Sequence, residues 1–212
     1  MRLMDDLFPV ALPMGTSHLK NRINSALQCE LVNATQLVSK SAEFSHLTTK
    51  SGGVYSAKIT NCGAMGWWSD AEGYRYTEND PRSGNPWPGM PKLFLKSLKP
   101  ALYGTSAEGF EPDACLINHY AKSARMGLHQ DKDEADFSHP IITISLGATA
   151  DFLIGGEKRS DPPQLIIVES GDIVIMGGKS RMRFHSIRKI YPGSSPLANL
   201  DGRISLTFRK AL

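Results

Sequence analysis

The chain has 212 residues, of which 41% are hydrophobic, and a formal net charge of +3 at pH 7, so it can build one substantial core in one domain or at most two. It has no run of eighteen apolar residues, and two aspartates lie among its first six residues, which argues against a transmembrane helix and against a signal peptide. Three cysteines without C-x-x-C spacing indicate neither a disulfide framework nor a thiolate zinc site, so we expect a soluble, cytoplasmic protein.

Helical patterns come early in the chain. Residues 17–39 place apolar side chains at intervals of three and four, which predicts an amphipathic helix. Residues 91–102 predict a second helix, with lysines on one side and apolar residues on the other. The intervening stretch 63–91 is rich in Gly, Pro, Trp and Tyr and predicts no regular element. Its rings could stack on nucleic acid bases or attach a loop to the domain, and we favour the second role for Trp87.

From residue 114 onward, short apolar runs alternate with turns. These runs predict strands over 115–120, 141–146, 151–154, 164–168, 172–176, 183–187 and 203–208. Several short strands separated by Gly and Pro favour a β-sandwich or barrel. In a jelly roll, the mouth between the two sheets can hold a metal ion and a small acid.

Three residues could bind a metal ion. His129 and Asp131 are separated by one residue, and side chains at i and i+2 on a strand share one face. His185 could complete a facial triad of two imidazoles and one carboxylate, the ligand set of non-haem Fe(II) sites that keep positions open for a co-substrate and O₂. The H-x-D spacing alone is a weak signal, because it also occurs by chance.

Two polar strand faces could hold an anion beside that metal. Arg203, Ser205 and Arg209 alternate with apolar residues on the last strand, with the arginines about 20 Å apart at strand rise. Both cannot clamp one carboxylate. They could bracket a dianion if the strand bends, or one could hold the ligand while the other meets a neighbour. Asn118 and Tyr120, also at i and i+2, could donate hydrogen bonds to the same acid.

Positive charge clusters near His185. It could neutralise phosphates at the rim of the site, or it could be an ordinary solvated strand face. The basic residues are Lys158, Arg159, Lys179, Arg181, Arg183, Arg188 and Lys189.

Together these residues resemble the AlkB family of iron(II) and 2-oxoglutarate-dependent dioxygenases, which repair alkylated nucleic acid bases. The resemblance covers about residues 55–210. It is carried, in chain order, by Thr60-Asn61-Cys62-Gly63, Gly66-Trp67, Gly73-Tyr74, Pro86-Trp87-Pro88, Pro112-Asp113-Ala114-Cys115-Leu116-Ile117-Asn118, His129-Gln130-Asp131-Lys132-Asp133-Glu134, Ser145-Leu146-Gly147, Gly171-Asp172, His185 and Leu206-Thr207-Phe208-Arg209.

The resemblance implies a fold and a division of the chain. The fold would be α+β and mainly β, a double-stranded β-helix (jelly roll) core with N-terminal helices packed on one sheet. We expect a single domain over 1–212. Within it, residues 1–55 would form an N-terminal extension with a helix, residues 56–110 a nucleotide-recognition lid and helix, and residues 111–212 the dioxygenase core.

The resemblance also implies roles for individual residues. The iron ligands would be His129, Asp131 and His185. The residues that bind 2-oxoglutarate would be Asn118, Tyr120, Arg203, Ser205 and Arg209. The substrate side would comprise Trp67, Tyr74, Lys132, Asp133, Glu134 and Arg159.

Two positions depart from the family pattern. Ser205 stands where the bacterial pattern R-x-N-x-T-F-R has asparagine, so a shorter hydroxyl replaces one amide contact and we expect weaker co-substrate binding. Met176 stands where a tryptophan is expected beside the substrate pocket.

The implied activity is oxidative demethylation of bases such as 1-methyladenine and 3-methylcytosine, with Fe(II), 2-oxoglutarate and O₂, releasing formaldehyde, succinate and CO₂. The implied partner is alkylated single-stranded DNA, with double-stranded DNA or RNA also open, and we expect a monomer with no membrane contact. Two alternatives remain at this stage. One is an Fe(II)/2-oxoglutarate oxygenase of a protein or small molecule, and the other is a non-catalytic, metal-containing β-sandwich that binds nucleic acid.

Overall fold

The computed structural model describes residues 11–212, so the first ten residues of the predicted N-terminal extension lie outside the described residues. The elements in chain order are β1 (Thr16–Leu19), α1 (Ser25–Ser41), β2 (Lys58–Gly63), β3 (Gly66–Asp70), β4 (Gly73–Thr77), α2 (Lys92–Ala101), β5 (Ala114–Tyr120), β6 (Met126–His129), β7 (Ile141–Gly147), β8 (Ala150–Ile154), β9 (Gln164–Val168), β10 (Ile173–Met176), a short 3₁₀ helix (Gly178–Ser180), β11 (His185–Ile190) and β12 (Arg203–Arg209).

Two antiparallel sheets form the core of the fold. The larger sheet has six strands in the order β1-β10-β7-β12-β5-β2, and the smaller has four in the order β6-β11-β8-β9. Strands β3 and β4 form a separate hairpin. In both the six-stranded and the four-stranded sheet, neighbouring strands are often not consecutive in the chain, as in a jelly roll. The predicted fold class is therefore confirmed.

The large sheet separates two hydrophobic layers. On its outer face, Ile204, Leu206 and Phe208 of β12 pack against Leu31 of α1 and Phe94 of α2, with the two phenylalanine rings 5.9 Å apart at 87°. The helices therefore cover one sheet, as predicted. A second cluster lies between the two sheets and includes Tyr120, Phe152, Ile154, Val174, Met176 and Ile187.

The predicted start of the first helix at residue 17 is wrong. Residues Thr16–Leu19 form β1 and pair with β10, and α1 begins only at Ser25. The helix starts there because the Asn24 side chain accepts a hydrogen bond from the Leu27 backbone N–H at 3.0 Å, which satisfies a donor at the open helix end. The second predicted helix, 91–102, is confirmed as α2.

All seven predicted strands are present, with ends that differ by at most three residues. The hairpin β3–β4 was not predicted, since its segment was expected to be irregular. Trp67 and Trp68 are adjacent, so the sequence lacks polar and apolar alternation there. Trp87 attaches this region to the domain, as expected. Its side chain is buried, and the centre of its ring lies 6.5 Å from that of the Trp68 ring. Its Nε1 donates a hydrogen bond to the Thr77 carbonyl at 3.0 Å.

The large sheet draws on all three predicted segments of the chain. β1 comes from the N-terminal extension and pairs with β10, and β2 comes from the predicted lid segment and pairs with β5. Among the strands of residues 11–212, only the hairpin β3–β4 stands apart from both main sheets. None of the helices within residues 11–212 is long and apolar enough to span a bilayer.

We predict that Asp172→Ala lowers the free energy of unfolding by about 3 kcal/mol. The buried carboxylate of Asp172 accepts hydrogen bonds from His18 Nε2 at 2.7 Å, Asn21 N at 2.8 Å and Glu169 N at 2.9 Å. These bonds connect the chain around β1 to the turn before β10. Urea denaturation measures the loss, and the exposed Asp201→Ala is the control.

The difference between wild type and Asp172→Ala should also depend on pH. Burial raises the pKa of Asp172, but the hydrogen bonds from His18 and two backbone amides outweigh it and hold the pKa below its ordinary value. The carboxylate therefore stabilises the fold at neutral pH, and that contribution is lost as the pH falls through the lowered pKa. Equal stabilities at pH 7 would contradict this account.

Candidate metal centre and adjoining anion site

The structure brings the three predicted metal ligands together. His129 ends β6 and His185 begins β11, and the two are paired in the strand register. Asp131 follows two residues after His129, and its carboxylate oxygens lie 3.7 Å from the Nε2 atoms of both histidines. One ligand atom from each residue fits within a cluster whose members are all within 4.8 Å of one another. This is the donor set of a facial triad, and it suits Fe(II).

Backbone carbonyls orient both imidazoles. Nδ1 of His129 lies 2.8 Å from the Gly127 oxygen, and Nδ1 of His185 lies 3.2 Å from the Arg183 oxygen. An Nδ1–H that donates to a carbonyl leaves the Nε2 lone pair free for a metal. Burial, with a contribution from His129, lowers the pKa of His185 to about 4, so its neutral, ligating form is stable at neutral pH.

Asp131 is the charged member of the triad. It is only 6% exposed, and its Oδ2 accepts from Arg209 Nη2 at 2.7 Å. Burial raises the pKa of this carboxyl, but the positive charge of Arg209, the largest of several cationic contributions, outweighs burial and holds the pKa below its ordinary value. The carboxylate is therefore ionised and ready to bind a cation.

Arg203 is a buried cation that lacks an anion. It is 1% exposed, its Nη2 donates to Ser145 Oγ at 2.9 Å, and its Nε and Nη1 have no hydrogen-bond partner. Within residues 11–212, no carboxylate forms an ion pair with it. Burial lowers the pKa of its guanidinium, and an unpaired buried charge is costly. A carboxylate ligand in the cavity would neutralise this charge and accept a hydrogen bond from a free nitrogen of the guanidinium.

The other predicted co-substrate residues surround Arg203. The register of β12 on β5 places Tyr120 opposite Arg203 and Asn118 opposite Ser205. The Arg203 guanidinium lies 5.3 Å from the centre of the Tyr120 ring, and Asn118 Oδ1 is buried without a partner. All four side chains line the same cavity of about 740 Å³ as the triad.

Arg209, at the far end of β12, already has partners. Besides its bond to Asp131, its Nη1 donates to the Tyr76 hydroxyl at 3.1 Å, and its Nε lies 3.6 Å from Glu134 Oε1. Of the two arrangements left open by the sequence, the structure therefore favours the one in which one arginine is free for a ligand and the other meets a neighbour.

The mouth of the cavity is aromatic. The rings of Trp67 and Tyr74 are stacked, with centroids 5.9 Å apart and planes at 12°, and Tyr74 is 46% exposed. Trp67 Nε1 donates to Asp133 Oδ2 at 2.7 Å. Lys132 and Arg159 are exposed and also line the cavity. The Arg159 guanidinium lies 5.4 Å from the ring centre of Phe184.

Glu134 lies apart from the other predicted substrate residues. It is buried, accepts from Arg181 Nη2 at 2.9 Å and from the Tyr76 hydroxyl at 2.6 Å, and is not among the residues that line the cavity. A carboxylate with both oxygens engaged inside the protein is not available to a substrate, so its position does not support the substrate role.

Arg181 and Met176 also differ from expectation. Arg181 is buried, where it donates to the Asp131 carbonyl at 2.6 Å, so it does not contribute charge to the rim. Met176 packs between the sheets and does not line the cavity. The contacts of Arg181 and of Tyr76 with Glu134 join residues 47 and 58 positions apart, and no local sequence pattern indicates them.

Comparisons with known proteins agree with this geometry. The family model of the 2OG-Fe(II) oxygenase superfamily matches residues 15–209. The alpha-ketoglutarate-dependent dioxygenase AlkB of Salmonella typhimurium is 43% identical over 181 residues, which are 85% of this chain and 83% of that protein. The DNA N(6)-methyladenine demethylase ALKBH1D of Arabidopsis thaliana is 44% identical over 108 residues, 46% of this chain and 24% of that protein. A solved structure of OsALKBH1 matches with a TM-score of 0.82 and 31% identity, covering 95% of this chain and 99% of that one.

We predict that His129→Ala weakens Mn(II) binding at least about 100-fold, because it removes one of three ligands. His139→Ala is the matched control, since His139 Nε2 also lies 3.7 Å from a carboxylate, that of Asp136, but without a third ligand. Isothermal titration calorimetry measures both affinities. A similar affinity for the two variants would show that the metal binds elsewhere.

Proposed function

Because this chain belongs to the AlkB family within the 2OG-Fe(II) oxygenase superfamily, we propose that it removes methyl groups from the ring nitrogens of alkylated bases such as 1-methyladenine and 3-methylcytosine. It is an Fe(II)- and 2-oxoglutarate-dependent dioxygenase that demethylates alkylated nucleic acid bases, an activity that fits the repair of alkylation damage. The single observation that best supports placing the dioxygenase chemistry in this cavity is the buried Arg203, which has no carboxylate partner within residues 11–212 and lines the same cavity as the His/Asp/His cluster.

The proposed ligands of Fe(II) are His129, Asp131 and His185. The proposed contacts of 2-oxoglutarate are Arg203 for the distal carboxylate and Asn118, Tyr120 and Ser205 along the co-substrate. Arg209, which is hydrogen-bonded to Asp131, would supply positive charge at the metal end of the co-substrate site. When bound, Fe(II), 2-oxoglutarate and O₂ supply the oxidising chemistry, in which the co-substrate leaves as succinate and CO₂ and the methyl group leaves as formaldehyde.

The protein's own contribution is to bind and orient the base. A methyl group on a base-pairing edge is inaccessible inside a duplex, so the base must leave the stack. We propose that Trp67 and Tyr74 stack against it, and that Lys132 and Arg159 contact the nucleic acid backbone or base near the mouth. Asp133, held by Trp67, favours a cationic methylated base over its neutral parent. In this proposal the hairpin β3–β4 is the nucleotide-recognition lid of a single domain.

The relatives support a nucleic acid substrate in general, and the preference for single-stranded DNA is our proposal. It rests on the need for an unstacked base, which a single strand supplies without the cost of opening a duplex. We also propose a monomer in the cytoplasm, which is consistent with three free cysteines and a reducing compartment.

The test is a mass measurement on an oligonucleotide. The protein is incubated in air with Fe(II), 2-oxoglutarate, ascorbate and single-stranded DNA that carries one 1-methyladenine. We expect the loss of one methylene mass only when 2-oxoglutarate is present, and none with Arg203→Ala. Parallel reactions with double-stranded DNA and RNA determine the preference for each.

The same reaction separates the alternatives. Succinate formation without mass loss on any nucleic acid would favour an oxygenase of a protein or small molecule. Neither succinate nor mass loss would favour a non-catalytic module that binds nucleic acid.

We predict that Ser205→Asn lowers the apparent KM for 2-oxoglutarate about fivefold. Ser205 is buried, lines the cavity and lies opposite Asn118, so an amide there would add a donor beside the co-substrate. Ser205→Ala, which removes the hydroxyl, should bind no more tightly than wild type. An unchanged or higher KM for Ser205→Asn would refute this view of the position.

A further inference from the structure

The hairpin β3–β4 touches the segment that follows Asp131 at two points. Trp67 and Tyr76 are directly opposite each other in the hairpin register, so their side chains share one face. On that face Trp67 Nε1 donates to Asp133 at 2.7 Å, and the Tyr76 hydroxyl donates to Glu134 at 2.6 Å. The hairpin proposed to bind the base is therefore attached to the same short segment as a proposed iron ligand.

Only the contact through Tyr76 continues to that ligand. The Tyr76 oxygen accepts from Arg209 Nη1 at 3.1 Å, and Arg209 Nη2 donates to Asp131 Oδ2 at 2.7 Å. Arg209, Asp131 and Glu134 are all buried, so these bonds are not weakened by competing water. Arg181 holds Glu134 in place from the other side at 2.9 Å.

Two carboxylates compete for the Arg209 guanidinium. Asp131 binds it at 2.7 Å, whereas Glu134 Oε1 stays 3.6 Å from its Nε. The Tyr76 hydroxyl occupies the position between them, because it satisfies Glu134 as a donor and Arg209 as an acceptor. Without that hydroxyl, Glu134 Oε1 would lose its partner at 2.6 Å and Arg209 Nη1 would lose its acceptor. The two would approach each other, and Arg209 would be drawn away from Asp131.

We propose that Tyr76 is a positioning residue that couples the base-binding hairpin to the metal centre. It does so by maintaining the hydrogen bond from Arg209 to Asp131. When a base packs on the hairpin, it fixes β4, and Tyr76 with it. Asp131 is thereby held in its ligating orientation. By thermodynamic reciprocity, nucleic acid should tighten metal binding and metal should tighten nucleic acid binding by the same factor. The inference rests on the proposed function for the identity of the nucleic acid ligand.

The test measures Mn(II) affinity by calorimetry, in the presence of 2-oxoglutarate and without O₂. Each protein is titrated with and without single-stranded DNA that carries one 1-methyladenine. In the wild type we expect the oligonucleotide to tighten Mn(II) binding at least about fivefold. Tyr76→Phe should weaken Mn(II) binding about tenfold and reduce the oligonucleotide effect to less than about twofold.

Tyr191→Phe is the matched control. The Tyr191 hydroxyl also donates to a carboxylate paired with an arginine, at 2.9 Å from Asp151, which Arg188 contacts at 2.6 Å. That group has no bond to the triad, so Mn(II) affinity and the oligonucleotide effect should both match wild type.

A second variant distinguishes positioning from a general loss of structure. Glu134→Gln in the Tyr76→Phe background removes the charge that competes for Arg209, so the double variant should regain most of the lost Mn(II) affinity. Further loss in the double variant would overturn the inference. It would also be overturned if Tyr76→Phe retained both the affinity and the oligonucleotide effect, or if the wild type showed no such effect. Mn(II) binding requires no turnover, so these outcomes are separate from the methyl-loss assay that tests the proposed function.

Discussion

The buried ion pair between Asp131 and Arg209 joins the two sheets at the candidate site, and it holds one of the three proposed metal ligands in place. Arg209 ends β12 in the six-stranded sheet, and Asp131 follows β6 of the four-stranded sheet, with 2.7 Å between Nη2 and Oδ2. Removing one member of such a pair leaves the other charge buried without compensation, which typically costs about 3–5 kcal/mol. The pair therefore fixes both the separation of the sheets at this point and the orientation of a proposed metal ligand.

Strand β12 connects this pair to the rest of the fold. All seven of its residues are buried. Its polar side chains line the cavity between the sheets, and its apolar side chains pack in the cluster that includes both helices. Side chains alternate with a period of two, and a slip of one residue would place Arg203 and Arg209 against α1 and α2. The apolar packing of Phe208 on Phe94 thus determines which arginines reach the cavity. Stability and site geometry are specified by the same strand.

The sequence predicts those parts of the molecule that follow a regular period or a known motif. The strands from residue 114 onward are indicated by short apolar runs between turns, and the last of them, Arg203–Arg209, also alternates polar and apolar residues. The residues of the His/Asp/His cluster are indicated by their spacing and by the family motifs. The start of α1 was wrong because apolar spacing continues into β1, where pairing with β10 takes over. The family resemblance implies a substrate role for Glu134, whereas in the structure Glu134 is buried and accepts a hydrogen bond from Arg181, 47 residues away. Such contacts are set by tertiary packing, which neither spacing nor composition encodes.

The most direct measurement is a crystal structure of the protein with Mn(II) and 2-oxoglutarate, prepared without O₂. We predict that Mn(II) binds Nε2 of His129, Nε2 of His185 and one oxygen of Asp131. We also predict that the distal carboxylate of 2-oxoglutarate lies within hydrogen-bonding distance of the Arg203 guanidinium, and that Arg209 remains hydrogen-bonded to Asp131. A co-substrate that leaves Arg203 without an anion, or a metal ion bound away from the triad, would contradict the account.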